Sequence, residues 1–239
     1  MNLDRRLRKM VNTNLCLFML KQKFDVYWTG AFRVDPVKSS WSQFGEDEIL
    51  CKELSDVLES GFYLDIGANH PTKLSNTFKL YRLGMRGITV EPNAALSQLH
   101  ARYRPNDIQL CAASGERDGL ATFYLMDSHP LSTFSLETCQ SLIAQGFTVL
   151  SRSLMPVFTT QTILRDCAMP ERPIFALLSI DTESLDEMVL RSNDWSTYRP
   201  RIIVFEDYEG TNTMVHYLKD FGYESIASRG CNHILRLKS

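Results

Sequence analysis

Gly61-Phe62-Tyr63-Leu64-Asp65-Ile66-Gly67-Ala68-Asn69-His70-Pro71 reads as a short apolar strand, Phe62 to Ile66, running into a turn-rich loop. Upstream, Glu46 to Leu58 has Ile49, Leu50, Leu54, Val57 and Leu58 on one side of a helix, which Gly61 stops. Downstream, Ser75 to Leu83 is a second helix ended by Gly84. Gly87-Ile88-Thr89-Val90-Glu91 is a second strand, and Pro92 admits a helix from Ala94 to Tyr103. Ile108 to Cys111 is a third strand. The alternation continues with strand Leu120 to Met126, helix Leu136 to Gln145, strand Val157 to Thr160 and helix Gln161 to Cys167. Ile174 to Ile180 is almost wholly apolar, as a strand buried on both faces must be. Ile202 to Phe205 is similar; Met214 to Phe221 is helical, and Tyr223 to Ala227 with His233 to Leu237 makes a terminal antiparallel pair. This order predicts an α/β, Rossmann-like fold: a mostly parallel sheet with helices on both faces.

Composition narrows the classes. The 239 residues are 44% hydrophobic and 23% charged, with a net charge of −2, which excludes collagenous and disordered chains and gives no basis for coating nucleic acid. The longest apolar run, Leu15 to Leu20, is far short of the roughly 20 residues of a membrane-spanning helix. Six cysteines are scattered without a C-x-x-C pair and are expected as packed thiols. With no export signal read before Lys21, a cytoplasmic protein is expected. Residues 1–23 stand apart, with six basic residues against one acid, and with Leu7, Val11, Leu15 and Phe18 at helical spacing. Such a segment would suit its own domain, a partner, or peripheral contact with an anionic membrane surface.

An open parallel sheet binds ligands at the carboxyl ends of its strands. Those ends carry Asp65 with Gly67 and Asn69, then Glu91, then Cys111-Ala112-Ala113-Ser114, then Asp181. The glycine lets a ligand approach the backbone. Glu91, 26 positions after Asp65, is placed to accept hydrogen bonds from both hydroxyls of a ribose. The loop is D-x-G-x-N, not G-x-G-x-x-G, and the next helix starts late, so no helix end is offered to a pyrophosphate. The pattern therefore suits a nucleoside without phosphates, such as S-adenosylmethionine, and disfavours a nicotinamide or other diphosphate ligand. Asp181, Glu183, Glu206 and Asp207 are oxygen ligands near strand ends, but their spacing matches no dedicated cage and no metal site is expected.

Several blocks together resemble the FkbM-type methyltransferases: Ser42-Gln43-Phe44-Gly45-Glu46-Asp47, the 61–71 stretch, Ser75-Asn76-Thr77, the 87–93 stretch, Leu131-Ser132-Thr133-Phe134 and Ser179-Ile180-Asp181-Thr182-Glu183. The resemblance spans about residues 41–237 and implies a methyltransferase domain over 41–239, preceded by a basic amphipathic extension over 1–40. It implies a class I fold, S-adenosylmethionine as cofactor, and transfer to a hydroxyl oxygen, commonly of a sugar in a glycan, glycolipid or secondary metabolite. By position, Asp65, Gly67 and Asn69 would hold the methionine end, Glu91 the ribose, and Asn93 or Ser114 the adenine edge. Asp181 would face the cofactor's amino group or the substrate. Asp181 and His70 are the candidate proton acceptors, and the segment starting at His129-Pro130 would line the acceptor pocket. Ser184 stands where the family usually has glycine. That departure is what would favour the alternative, a protein that binds the cofactor without turnover and serves as a scaffold.

Overall fold

The computed structural model describes residues 39–167, 169–182 and 185–238. The expected helix and surface contact of residues 1–23, and Glu183 and Ser184, lie outside the described residues. None of the five described cysteines is in a disulfide, and no described helix is long and apolar enough to cross a membrane.

Seven strands form the main sheet: β1 (Gly61–Ile66), β2 (Arg86–Val90), β3 (Ile108–Leu110), β7 (Ile174–Ile180), β8 (Ile202–Glu206), β9 (Tyr223–Arg229) and β10 (Asn232–Leu237). Their order is β3-β2-β1-β7-β8-β10-β9. β1 runs parallel to β2 and β7, and β7 to β8, whereas β10 is antiparallel to both its neighbours. The chain thus builds outward from β1 in one direction and returns on the other side, leaving a switch point between β1 and β7.

Alternation along the strands fills both faces. Ile202 and Val204 join the core under α1 (Glu46–Glu53) and α2 (Phe78–Arg82) with Leu50, Leu54 and Leu80. Ile203 and Phe205 join the opposite core with α5 (Thr160–Asp166), α6 (Asp186–Arg191) and α7 (Thr213–Lys219), through Ile163, Val189 and Leu218. The sheet thus has a core on each face, so its central strands bury side chains on either side. α3 (Ala94–Tyr103) links β2 to β3.

Between β3 and β7 the chain makes a second, three-stranded sheet of β4 (Ala113–Ser114), β5 (Gly119–Met126) and β6 (Val149–Phe158), ordered β4-β6-β5. β5 and β6 pair antiparallel along their length, but Leu125 opposes Ser151 and Met126 opposes Val149, so Leu150 has no opposite number. β4 reaches only Val157 and Phe158, so among the described residues the rest of β6 has a strand on one side only. A 3₁₀ turn (His129–Leu131) and α4 (Leu136–Ala144) cover the β5 end through Tyr124, Met126, Cys139 and Leu142.

Four expectations change at this level. α1 ends at Glu53 rather than Leu58, because Leu54 and Val57 reach the core from turns. α2 begins at Phe78 rather than Ser75, since the Ser75 hydroxyl is spent accepting the Phe78 amide. β6 is ten residues long, where only its end at Val157 was expected, and α6 was not expected at all.

Candidate functional site

The crevice opens at the switch point. β1 ends in Gly67, whose φ of +74° only glycine adopts without strain, and a Cβ there would lie 1.9 Å from the Asp181 carbonyl oxygen. The glycine is thus required first by the close approach of the β1 and β7 ends. The Asp181 amide confirms that approach by donating to the Ile66 carbonyl at 3.0 Å. Gly67 and Ala68 then donate to the Val90 carbonyl, tying the loop to the end of β2.

Glu91 follows β2 and is 7% exposed. Its Oε2 accepts the Asn69 amide at 2.9 Å and its Oε1 accepts the Asn93 amide at 2.7 Å. Burial raises its pKa to about 7; these two amides pull the other way, while Asp181 and Asp65 add to the rise. Asn93 caps α3, accepting the Ala95 amide through Oδ1. That leaves Asn93 Nδ2, Asn69 Oδ1 and Ser114 Oγ buried with no partner among the described residues. Three such atoms around one cavity are uncommon, because buried polar groups are normally satisfied.

The cavity encloses about 480 Å³, within the range of small-molecule and cofactor sites. Gly67, Asn69, Glu91, Asn93, Ser114 and Asp181, all named from the sequence, line it. The inserted region closes the other side with Phe123 of β5, His129 of the 3₁₀ turn, Ser132, Thr133 and Phe134 after it, and Thr138 of α4. Phe123 and Phe134 meet at 4.9 Å between ring centroids. The His129 to Phe134 segment expected at an acceptor pocket is therefore on the wall.

Asp65 and His70 are not on the wall. Asp65 is buried behind the loop, where Thr77 donates to its Oδ2 and the Arg104 guanidinium lies 3.8 Å away. Burial raises its pKa, and Arg104 offsets part of that rise. His70 is also buried, and its Nδ1 accepts the Thr72 amide at 3.2 Å. Burial, with Lys73 and Arg104 adding repulsion, lowers its pKa to about 4, so its ring is neutral near pH 7. Of the two proton acceptors named from the sequence, only Asp181 meets the cavity.

Sequence reasoning missed the support beneath the loop. Arg104 is fully buried; its Nε donates to the Pro71 carbonyl at 2.9 Å, and its terminal nitrogens to Thr77 Oγ1 at 2.8 Å and Ser75 Oγ at 2.6 Å. It also lies 3.9 Å from Asp107, which accepts from Tyr63 and from the Gly87 amide. The signal was spacing: Leu96, His100 and Arg104 recur every four residues, on the buried side of the helix. Acids beyond the crevice are spent on backbone. Asp186 accepts from Thr182 and from the Glu206 amide, and burial raises its pKa to about 7. Asp207 accepts the Thr211 and Asn212 amides. Among the described residues, no three His, Cys, Asp or Glu side chains converge to hold a metal ion.

A doubly wound sheet with an acid-edged cavity at its switch point defines the Rossmann-like class of α/β folds. The chain belongs to the methyltransferase FkbM domain family, whose model matches residues 65–225, and the sheet is the class I fold that family membership implies. Among solved structures, the methyltransferase FkbM from Methylobacillus flagellatus KT is 11% identical, with a TM-score of 0.45 over 76% of this chain and 44% of that one. This chain therefore spans less than half of that protein's length. A TehB-like SAM-dependent methyltransferase from Corynebacterium glutamicum ATCC 13032 Kitasato is 10% identical, with a TM-score of 0.41 over 95% of this chain and 99% of that one. Comparison with curated proteins gives no match.

Proposed function

We propose that this domain binds S-adenosylmethionine against Glu91 and methylates a hydroxyl oxygen of a sugar-containing acceptor, seated against the Phe123–Phe134 side. The observation that carries the reading is Glu91, held by the Asn69 and Asn93 amides beside three buried polar atoms without partners among the described residues. When bound, S-adenosylmethionine supplies a methyl group on a positively charged sulfur.

The chain's residues fit such a ligand. A carboxylate has about four acceptor positions; Glu91 uses two on backbone and keeps the rest for ribose hydroxyls. Asn93 Nδ2 and Ser114 Oγ would serve the polar edge of adenine, and Asn69 Oδ1 with Asp181 would accept from the ammonium of the amino-acid end. Gly67 lets the backbone carry that end close to β1. Asp181 is also the candidate to take the acceptor's proton, since a positioned base typically adds about 10²–10⁴-fold. Aromatic faces and hydroxyls on the inserted sheet suit a carbohydrate ring, which is apolar on its faces and polar at its rim.

Calorimetry with S-adenosylmethionine and S-adenosylhomocysteine tests the reading. Wild-type protein should bind both, and Glu91→Ala should weaken binding by about 1.5–3 kcal/mol for each charge-assisted hydrogen bond lost. Unchanged affinity in the variant would remove the ribose assignment. Tight binding with no transfer to any member of a broad sugar panel would favour the scaffold alternative.

A further inference from the structure

We infer that His100 is a positioning residue that, together with Glu91, clamps the backbone of Asn69 and so presents the Asn69 side chain to the cavity. The inference rests on the cofactor reading above for its consequence, though not for its geometry. Asn69 has φ +48°, a left-handed conformation that only a small fraction of non-glycine residues adopt. Both of its peptide groups are gripped. Its N–H donates to Glu91 Oε2 at 2.9 Å, and its carbonyl accepts from His100 Nε2 at 2.9 Å. Held conformations of this kind persist only where the surroundings over-determine them.

The two grips come from one structural unit. Glu91 follows β2, Asn93 caps α3, and His100 lies two turns further along that helix. His100 is fully buried, and burial with the Arg104 charge beside it lowers its pKa to about 3. The ring is therefore neutral, and Nε2 carries the hydrogen that the Asn69 carbonyl accepts. Its Nδ1 is buried with no partner among the described residues, so the ring's hydrogen bonding is directed to the loop, at Asn69 and at the neighbouring Ala68 backbone. Arg104, one turn on, repeats the arrangement at the Pro71 carbonyl. α3 thus reaches the cavity at its start and fixes the same loop from behind at its end. A change at His100 acts on the ligand only through Asn69, because His100 does not line the cavity.

The test compares His100→Leu, which fills the space but donates nothing, with His100→Gln, whose amide can still donate. Hydrogen exchange read at the Asn69 amide, by NMR on the full chain, needs no ligand. It should quicken about tenfold or more in His100→Leu relative to the β1 amides, and return towards wild type in His100→Gln. S-adenosylhomocysteine affinity should follow the same order, falling about tenfold in His100→Leu at a temperature where both variants are folded by near-UV circular dichroism. If the wild type does not bind S-adenosylhomocysteine, the cofactor reading fails and the exchange result alone decides the clamp. Equal exchange at Asn69 in all three proteins, or an equal loss of affinity in the Leu and Gln variants, overturns it. Should His100→Leu fail to fold, the same comparison with His100→Gln and His100→Asn decides, because the shorter Asn side chain cannot reach the carbonyl.

Discussion

The two walls of the cavity are built on different principles. On the strand-end wall, backbone and side chains are locked together: Gly67 against Asp181, Glu91 against Asn69 and Asn93, Arg104 against three groups of one loop. The inserted wall is charge-poor and loosely anchored. From Gly119 to Phe158 the charged residues are Asp127, Glu137 and Arg152. The same stretch holds Leu120, Leu136, Ile143, Leu150 and Leu154, five of the six exposed large hydrophobic residues described. A wall that must fit one constant ligand gains from rigidity. A wall that faces a variable one does not, and loops and insertions are where such variation resides.

If that contrast is real, substitutions on the first wall should cost far more. Arg104→Met should lose about 3–5 kcal/mol of unfolding free energy in urea, because it strands the buried Asp65 and Asp107 carboxylates. A loss below about 1 kcal/mol would mean that the network contributes little. Gly67→Ala should cost roughly 2–4 kcal/mol, through its positive φ and the collision with the Asp181 carbonyl. Gly119→Ala, where a Cβ meets nothing within 4 Å, should be near neutral or slightly stabilising; equal costs at the two glycines would erase the contrast.

Glu91→Gln sharpens it through pH. Glu91 and Asp186 both titrate near pH 7 in the folded chain, above the usual carboxylate range. Between about pH 5 and 7 these two carboxyls therefore hold protons in the folded state that they lack in the unfolded one, and their contribution to stability falls as pH rises, opposed by His70 and His100, whose lowered pKa values act in the other direction. Glu91→Gln removes one of these titrations, reducing the slope by at most about 1.4 kcal/mol per pH unit, while Asp186 keeps part of it. Urea titrations across pH 5–8 would show this, and an unchanged slope would contradict the burial of a titrating Glu91. The smallest effect belongs to the other wall: Leu154→Ser should stay within about 0.5 kcal/mol of wild type in the same urea assay.

How legible these features were in the sequence follows from the same contrast. The continuous apolar run at Ile174–Ile180 and the strand-end acids announce a buried parallel sheet, and six of the eight named site residues line the cavity. Asp65 and His70 carry the right chemistry at the right sequence distance, but spacing does not reveal which way a side chain turns. Asp65 turns to Thr77 and Arg104, a contact 39 residues away in sequence. The length of β6 was hidden because Leu150 to Leu154 are all exposed, so no alternation of buried and exposed residues marks the strand. Nothing in the sequence marks His100 for its role, since only the folded loop supplies the carbonyl it serves.

The half-paired strand β6 has one further consequence. A row of leucines beside open peptide groups would normally invite other chains to stack on it. Pro156 lacks an N–H to offer, Arg152 sets a charge midway with its guanidinium over the Tyr124 ring, and unmatched Leu150 bends the register. These features leave the apolar flank of β6 a poor template for another strand.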